Sequence, residues 1–374
     1  MTMHQFPSRW KNLDVTLCHD WLTGMRGGER VLEILCEGFP RAPLRTLIHN
    51  RAAVSATINA HPISTSWLQH VPAIMRHYRL FLPTFPATIA LQPAAAGDLL
   101  ISTSHCVAKG LRTRPGTKTK HLCYCFTPMR YAWTFHEEYF SGNRAKQLIA
   151  APVLAALRHW DKAASANVHR FVAISEHVRQ RIQTYYGRDA DVVYPPVDTQ
   201  RCTPIHAPRK NFDLIVSALV PYKRIDLAVR AYARLGYPLK IVGIGGELDH
   251  LRTLAGPKTE FLGWLPDTEA LELYRHCRLL IFPGEEDFGI VPLEAQSCGR
   301  PVVAFRRGGA LETIRDGLTG LFFNDQTVES LLEAVQQAAN HPWNPATIRT
   351  HAESFSEARF IQGLAQSIEK CLEG

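Results

Sequence analysis

The chain has 374 residues, 46% of them apolar, and a formal net charge of +8. That is enough apolar material for two domains with separate cores, and no apolar run is long enough to span a bilayer. The opening stretch, MTMHQFPSRWKNLDV, lacks the apolar centre of a secretion signal. Nine cysteines are scattered without a C-x-x-C pair, so reduced cytosolic thiols are expected rather than a disulfide framework. Cys123 and Cys125 stand two apart, and two ligands do not make a zinc site. The charge is uneven. Residues 1–195 carry 23 Lys/Arg against 12 Asp/Glu, a net of +11, while the remainder nets −3. A basic half suits nucleic acid, a membrane surface or an anionic substrate. No nucleic-acid motif or aromatic–basic alternation is present. An anionic lipid surface and a pyrophosphate-bearing acceptor remain, beside the plainer reading of a soluble basic face.

Leu13 to Cys18 reads as a first buried strand. After His19-Asp20 comes a glycine-bearing loop, Thr23 to Glu29, and then helical spacing at Val31, Leu32, Ile34 and Leu35. Glycines such as Gly27 and Gly28 let a ligand reach backbone N–H groups, though paired glycines also occur in plain turns. The loop is not G-x-G-x-x-G, so no dinucleotide fingerprint is present there. Residues 67–92 alternate apolar, aromatic and basic residues irregularly, with prolines at 72, 83 and 86. One or two short helices fit, either as core or as a surface that dips into lipid headgroups.

Gly97 to Ser102 is a further buried strand opening on Thr103-Ser104-His105, and a basic stretch, Arg112 to Lys120, follows. His121 to Tyr124 is the next strand, leading to Phe126 and then to Met129-Arg130-Tyr131-Ala132-Trp133. A cation beside two aromatics suits a sugar acceptor, and Tyr and Trp are as often half-buried core. Arg170 to Ile174 is a strand, Ser175 an N-cap for a helix over 176–186, and Asp191 to Tyr194 the last strand of this half. Pro195-Pro196 is a stiff hinge and the domain boundary.

The second half restarts at Leu214 to Leu219, followed by Pro221-Tyr222-Lys223-Arg224. A strand end delivering two cations is an arrangement that can hold two phosphates, and paired basics in loops are also common without a role. Leu239 to Val242 with a glycine turn comes next, then Glu260 to Leu265 carrying Trp264. Leu279 to Phe282 is a short buried strand broken by Pro283-Gly284. Glu285, Glu286 and Asp287 follow, then Phe288-Gly289-Ile290, with Pro292 and Glu294 in the first turns of a helix that stops near Gly299. Strand, acidic loop and helix start mark the carboxyl edge of a parallel sheet, where open α/β sheets bind ligands. Carboxylates for hydroxyls and helix-start amides for phosphates suit a sugar nucleotide, and a solvated acidic loop has the same composition. Pro301 to Phe305 leads to Gly308-Gly309, and a last helix occupies about 355–372.

The segment from Glu286 to Glu294 resembles the Glu-x7-Glu signature of the family-4 retaining glycosyltransferases. VSALVPYKRIDLAV at 216–229, FLGWLPD at 261–267 and RRGGALETIRDGLTGLFF at 306–323 follow in that family's order. CHDWLTGMRGGERVLEIL at 18–35 and CYCFTPMRYAW at 123–133 resemble its branch of bacterial mannosyltransferases of surface-polysaccharide assembly. The resemblance covers nearly the whole chain. It implies the GT-B fold, an α/β architecture of two facing Rossmann-like domains with parallel sheets. Residues 1–195 would take the acceptor and 196–354 the nucleotide sugar, with 355–374 a helix returning to the first domain.

The resemblance further implies transfer of a hexose, with mannose from GDP-mannose as the expected donor, to a polyprenyl-diphosphate-linked oligosaccharide. The chain would be cytoplasmic and peripherally bound to the anionic inner membrane face. Lys223 matches the lysine that binds the donor diphosphate, and Arg224 is expected to share that role. Glu286 would hold donor sugar hydroxyls, Glu294 the ribose, and Trp264 would lie near the base. Phe288, Gly289 and Ile290 would complete the donor site, and Gly27 and Gly28 would lend amides to the phosphates. His105, Arg130, Tyr131 and Trp133 fall on the acceptor side. No cofactor, metal or nucleic acid is expected, because Lys and Arg replace a metal's charge. Two positions depart from the pattern. Phe126 stands where the branch usually has His, so either His105 or His136 takes that place or the donor contacts differ. Ala218 stands where many relatives have Arg. A transferase acting on a soluble sugar or sugar phosphate, and a non-catalytic GT-B scaffold protein, are the alternatives.

Overall fold

The structure, a computed structural model, describes residues 6–133, 144–205 and 210–374, and for 144–150 the backbone alone. It divides into two units, Met1–Pro195 with Phe360–Gly374, and Pro196–Arg359. In the first, seven strands form a parallel sheet. They are β1 (Val15–His19), β2 (Leu44–Thr46), β3 (Ile63–Ser64), β4 (Leu99–Ser104), β5 (Lys120–Cys125), β6 (Arg170–Ala173) and β7 (Ala190–Val192). Their order is β3-β2-β1-β4-β5-β6-β7. β1 and β4 are buried at every residue, as befits central strands of an α/β sheet covered on both faces. They pair in parallel, with His19 opposite Thr103. The loops after both strands therefore open at one sheet edge, at the point where the strand order reverses.

The 67–92 segment is broken into short pieces, Trp67–His70, Ile74–His77, Tyr78–Thr84 and Phe85–Ala90. Ile74, Tyr78, Phe85 and Ile89 are buried in the unit's core. Leu80 on the opposite side is 76% exposed. Ala73 takes a left-handed conformation, φ 55°, ahead of the second piece, a backbone state that a residue with a Cβ adopts rarely. The last helix, Glu357–Glu373, begins two residues later than the apolar spacing suggested, because Ser356 bridges Val197. From Phe360 onward this helix belongs to the first unit. Phe360 meets Tyr124 edge-on at 5.6 Å, and Ser367 Oγ donates to Asp191 Oδ2 at 2.9 Å.

The second unit has six parallel strands, β8 (Asp213–Val216), β9 (Leu239–Val242), β10 (Thr259–Gly263), β11 (Leu280–Phe282), β12 (Val302–Phe305) and β13 (Gly320–Phe323). They lie in the order β10-β9-β8-β11-β12-β13. The order reverses between β8 and β11, so the loops after these two strands flank the switch point. β8 ends at Val216 rather than Leu219 because another loop packs on its continuation. A Cβ on Gly243 would come 1.8 Å from Ser217 O, and one on Gly245 2.1 Å from Leu219 O. Only glycine permits that approach. The helices Ile225–Leu235 and Val328–Asn340, which follow β8 and β13, pack together. Strands β2, β3 and β13 and the helix Arg144–Ser165 were not foreseen from the pattern of apolar residues.

Both sheets are thus parallel and helix-covered, each a Rossmann-like unit. Among the described residues, no helix is long and apolar enough to cross a membrane. Nor does any cluster of three or more His, Cys, Asp or Glu among them suit a metal ion. All nine cysteines are free and buried.

Candidate functional site

In the second unit the loop after β8 makes a single 3-10 turn, Pro221–Lys223, and Arg224 then enters the helix Ile225–Leu235 in the left-handed region, φ 52°, ψ 37°. A non-glycine residue there costs on the order of 1 kcal/mol or more and persists only where its surroundings hold it. The holding contacts are explicit. Arg224 Nε and Nη2 donate to the two carboxylate oxygens of Asp226 at 3.1 and 3.3 Å, and Nη1 donates to Gln326 Oε1 at 3.2 Å. The guanidinium is therefore already engaged in the free protein. Lys223 is placed differently. Its Nζ forms an ion pair with Glu286 Oε1 and lies 5.2 Å from the Tyr222 ring centre. Its side chain is 13% exposed and that of Glu286 24%.

The loop after β11 reaches Lys223 because it carries a glycine. A Cβ on Gly284 would come 2.8 Å from Lys223 Cα and 2.9 Å from its carbonyl oxygen. Within the acidic run, Glu285 is exposed, Glu286 half-buried and Asp287 buried. The Gly308-Gly309 turn supports this loop from behind. Gly309 N–H donates to Glu286 O at 2.8 Å, and a Cβ on Gly309 would meet Phe288 backbone at 2.2 Å. Phe288 itself is buried against Phe355, so its side chain serves packing and leaves only its backbone for a ligand. Gly289 caps the following helix at φ 102°, a conformation suited to glycine. Ile290, half-buried, opens that helix, Ile290–Ser297.

Glu294 lies one turn inside. Tyr274 Oη donates to its Oε2 at 2.8 Å, and Arg201 Nη2 is 3.9 Å from Oε1. Burial, and then the Glu294 charge, push the Tyr274 phenol well above its ordinary value, so the phenol stays protonated and keeps donating. Trp264 follows β10 and is 69% exposed. The structure thus joins Lys223 to Glu286 directly. It also ties Arg224 to Gln326, whose Nε2 donates to Pro283 O at 3.2 Å. Gln326 and Tyr274 are the residues that the sequence did not single out, since each contact joins positions at least 20 residues apart.

In the first unit, Gly27 and Gly28 form the first turn of the helix Gly27–Gly38. Glu29 caps that turn by accepting from Arg26 N–H at 3.1 Å. Burial alone would raise its carboxyl, but the His19 ring, with Nε2 3.9 Å from Glu29 Oε1, and the helix-start backbone together lower it. His19 Nδ1 meets Thr103 Oγ1 at 2.7 Å across the β1–β4 edge. Phe126 lies over this corner. A Cβ on Gly28 would touch its ring at 3.3 Å, which is tight but not prohibitive.

Asp20, fully buried, accepts backbone N–H groups of His105, Cys106, Val107 and Ala108 at 2.6–3.0 Å. His105 Nδ1 lies 3.0 Å from the same carboxylate. Burial opposes the Asp20 charge, yet the His105 ring and N–H groups overcome it and hold the carboxyl well below the usual range. Trp133 has a structural partner. Its indole Nε1 donates to Asp161 Oδ2 at 2.8 Å, and Tyr186 Oη donates to the same oxygen at 2.6 Å. The other Asp161 oxygen pairs with buried Lys109. Trp133 and Tyr131 pack partly buried on the unit's core, and Arg130, half-buried, opens the short helix Arg130–Trp133. His136 lies outside the described residues.

Residues 198–357 match the family model described as glycosyl transferases group 1. An uncharacterized glycosyltransferase of Methanocaldococcus jannaschii is 27% identical over 222 residues, 58% of this chain and 61% of that protein. The D-inositol 3-phosphate glycosyltransferase of Rhodococcus jostii is 29% identical over 251 residues, 58% of this chain and 56% of that protein. The matches therefore span about 60% of these relatives' lengths. Among solved structures, the apo lipopolysaccharide outer core galactosyltransferase WaaB superposes with a TM-score of 0.69 at 15% identity, covering 96% of this chain and 99% of that one. HepE of Anabaena in complex with UDP and glucose gives 0.64 at 19% identity, covering 96% and 99%. The fold class is GT-B.

Proposed function

We propose, from the match of residues 198–357 to the group 1 glycosyl transferases, that this chain moves a hexose from a nucleotide sugar to a glycan acceptor with retention of configuration. The observation that carries this reading is the Lys223–Glu286 pair at the switch point between β8 and β11. A cation and a carboxylate held side by side match a ligand with a diphosphate next to sugar hydroxyls. Lys223 would neutralise the diphosphate as it leaves, where negative charge develops in the transition state. Glu286, released from Lys223 by the incoming phosphates, would accept hydrogen bonds from the sugar. Glu294, already fixed by Tyr274, would hold the ribose. No step of this reading needs a metal, because Lys223 supplies the positive charge. In the front-face route the leaving phosphate takes the acceptor's proton as the new glycosidic bond forms.

The resemblance of residues 18–35 and 123–133 to mannosyltransferases supports GDP-mannose as donor. A UDP-hexose is the second reading, supported by the UDP and glucose in the complex of HepE. For the acceptor we propose a lipid-linked oligosaccharide reached from an anionic membrane surface. Leu80 at 76% and Trp67 at 47% exposure support this, with Arg76, His77 and Arg79 exposed around them. Incubation with GDP-mannose, UDP-glucose and a polyprenyl-diphosphate-linked sugar, followed by mass spectrometry of the lipid fraction, tests the reading. A hexose increment with one donor is expected. Turnover of neither donor, with or without acceptor, would overturn it.

A further inference from the structure

Gln326 lies in the turn between β13 and the helix Val328–Asn340, away from the motifs that mark the donor site. We infer that it is a positioning residue of that site, a clasp that fixes the Lys223 loop against the Glu286 loop. The proposal rests on the glycosyltransferase reading above.

The geometry is direct. Gln326 Oε1 accepts from Arg224 Nη1 at 3.2 Å, while Nε2 donates to Pro283 O at 3.2 Å. A carboxamide is the side chain that can accept on one side and donate on the other, and only one of its two orientations satisfies both partners here. Pro283 O belongs to the residue before Gly284, which lies against Lys223 Cα. One amide thus joins the residue after Lys223 to the start of the loop that delivers Glu286. It also helps retain Arg224 in its left-handed conformation, φ 52°, on which the direction of the Lys223 turn depends. The helices that follow Arg224 and Gln326 pack on each other independently of the amide, with Arg234 Nη1 2.7 Å from Glu329 Oε1. Loss of the amide should therefore loosen the loops and leave the helices in place.

The clasp acts on the residues assigned to the diphosphate and the sugar, and not on Glu294, assigned to the ribose. That difference gives a readout which a merely structural glutamine would not give. Calorimetry on the full chain should compare wild type, Gln326→Leu and Gln326→Glu, with GDP-mannose and UDP-glucose as sugar nucleotides and GMP and UMP as probes lacking the sugar and second phosphate. Gln326→Leu removes both bonds. It should weaken the bound sugar nucleotide by about tenfold, the worth of one to two hydrogen bonds, and leave the matching monophosphate within about twofold. Gln326→Glu keeps the acceptor for Arg224 but sets a carboxylate oxygen against Pro283 O, and should show the same selective loss. If both ligands weaken equally, or if the unliganded variant melts far below wild type, Gln326 is an ordinary structural residue and the clasp is refuted. Unchanged sugar-nucleotide affinity in both variants refutes it as well. A wild type that binds neither sugar nucleotide would overturn the donor site itself, and the clasp with it.

Discussion

Replacing Gly309 by alanine tests whether the acidic loop and the glycine turn are held as close as the structure shows. The backbone of Gly309 has φ −64° and ψ −16°, which any residue adopts, so conformational strain plays no part. The effect comes from space alone. The new methyl would lie 2.2 Å from Phe288 Cα, 2.4 Å from its oxygen and 2.5 Å from its nitrogen. Carbon atoms normally approach to about 3.5 Å, so the two segments must separate by roughly 1.3 Å. All three atoms are backbone, and no rotamer can relieve the clash. Overpacking of this kind costs about 1–3 kcal/mol, and the Gly309 N–H bond to Glu286 O is strained with it, adding about 1 kcal/mol. At about 2–4 °C per kcal/mol for a unit of this size, the second unit should melt about 4–16 °C lower. Gly246 is the control. A Cβ there meets nothing within 4 Å, so Gly246→Ala should stay within about 0.5 kcal/mol of wild type. Differential scanning calorimetry of the three proteins reads both values. Because the clash displaces Glu286, transfer by Gly309→Ala should fall on the order of 100-fold, as for other displacements near 1 Å. A Gly309→Ala protein that melts and reacts like Gly246→Ala would refute the packing of these loops.

The two glutamates should fail differently. Glu286→Ala should lower turnover more than donor affinity, and Glu294→Gln affinity more than turnover, since ribose contacts are shared by ground and transition states. Equal effects on kcat and KM in both variants would undo these roles. Glu294→Ala should in addition lose about 1–3 kcal/mol of stability by leaving the buried Tyr274 hydroxyl without its acceptor, and equal melting of the Ala and Gln variants would count against that. His121 provides a pH test in the first unit. Burial pushes its imidazole from 6.5 down to about 3, so the unfolded chain binds this proton more readily and stability falls as pH drops below 6.5. At pH 5 the penalty is about 2 kcal/mol, above the range where the lowered Asp20 carboxyl begins to titrate. His121→Gln should therefore flatten melting temperature against pH between 6.5 and 4, and parallel curves would contradict the assignment. For the membrane reading, the chain should sediment with anionic vesicles at low salt and be released in part by high salt, since each exposed basic residue contributes about 1 kcal/mol of screened attraction. Leu80→Asp should abolish any salt-resistant fraction, and wild-type protein that remains in the supernatant at low salt would rule the surface out.

Much of the geometry of the candidate site was legible in the sequence because its residues sit at strand ends. A short apolar run broken by Pro283-Gly284, then acids, then a helix start, locates Glu286 and Glu294 without any tertiary information. The occupancy of each side chain was not legible. Arg224 reads as a free cation beside Lys223, yet Asp226 and Gln326 hold it, the latter 102 positions away. Trp133 reads equally as a sugar platform or as half-buried core, and its indole N–H is committed to Asp161, whose other oxygen holds a buried lysine. Phe288 falls within the motif, but its ring is core. Strand ends were misplaced where another loop packs on the continuing backbone, as Gly243 and Gly245 do beyond β8. These gaps share one cause. Periodicity reports which face of an element is buried, whereas a polar group's partner is set by the fold.

The central claim is that the second unit binds the diphosphate of a sugar nucleotide with Lys223 as its cation. Titration calorimetry of GDP-mannose and UDP-glucose into wild-type protein and Lys223→Ala tests it most directly. The account predicts that at least one sugar nucleotide binds wild type, and that the variant, folded as judged by an unchanged melting profile, binds it about 10- to 100-fold more weakly, the worth of a charge-assisted contact. Equal affinity in the two proteins, or binding of neither ligand to wild type, would contradict it.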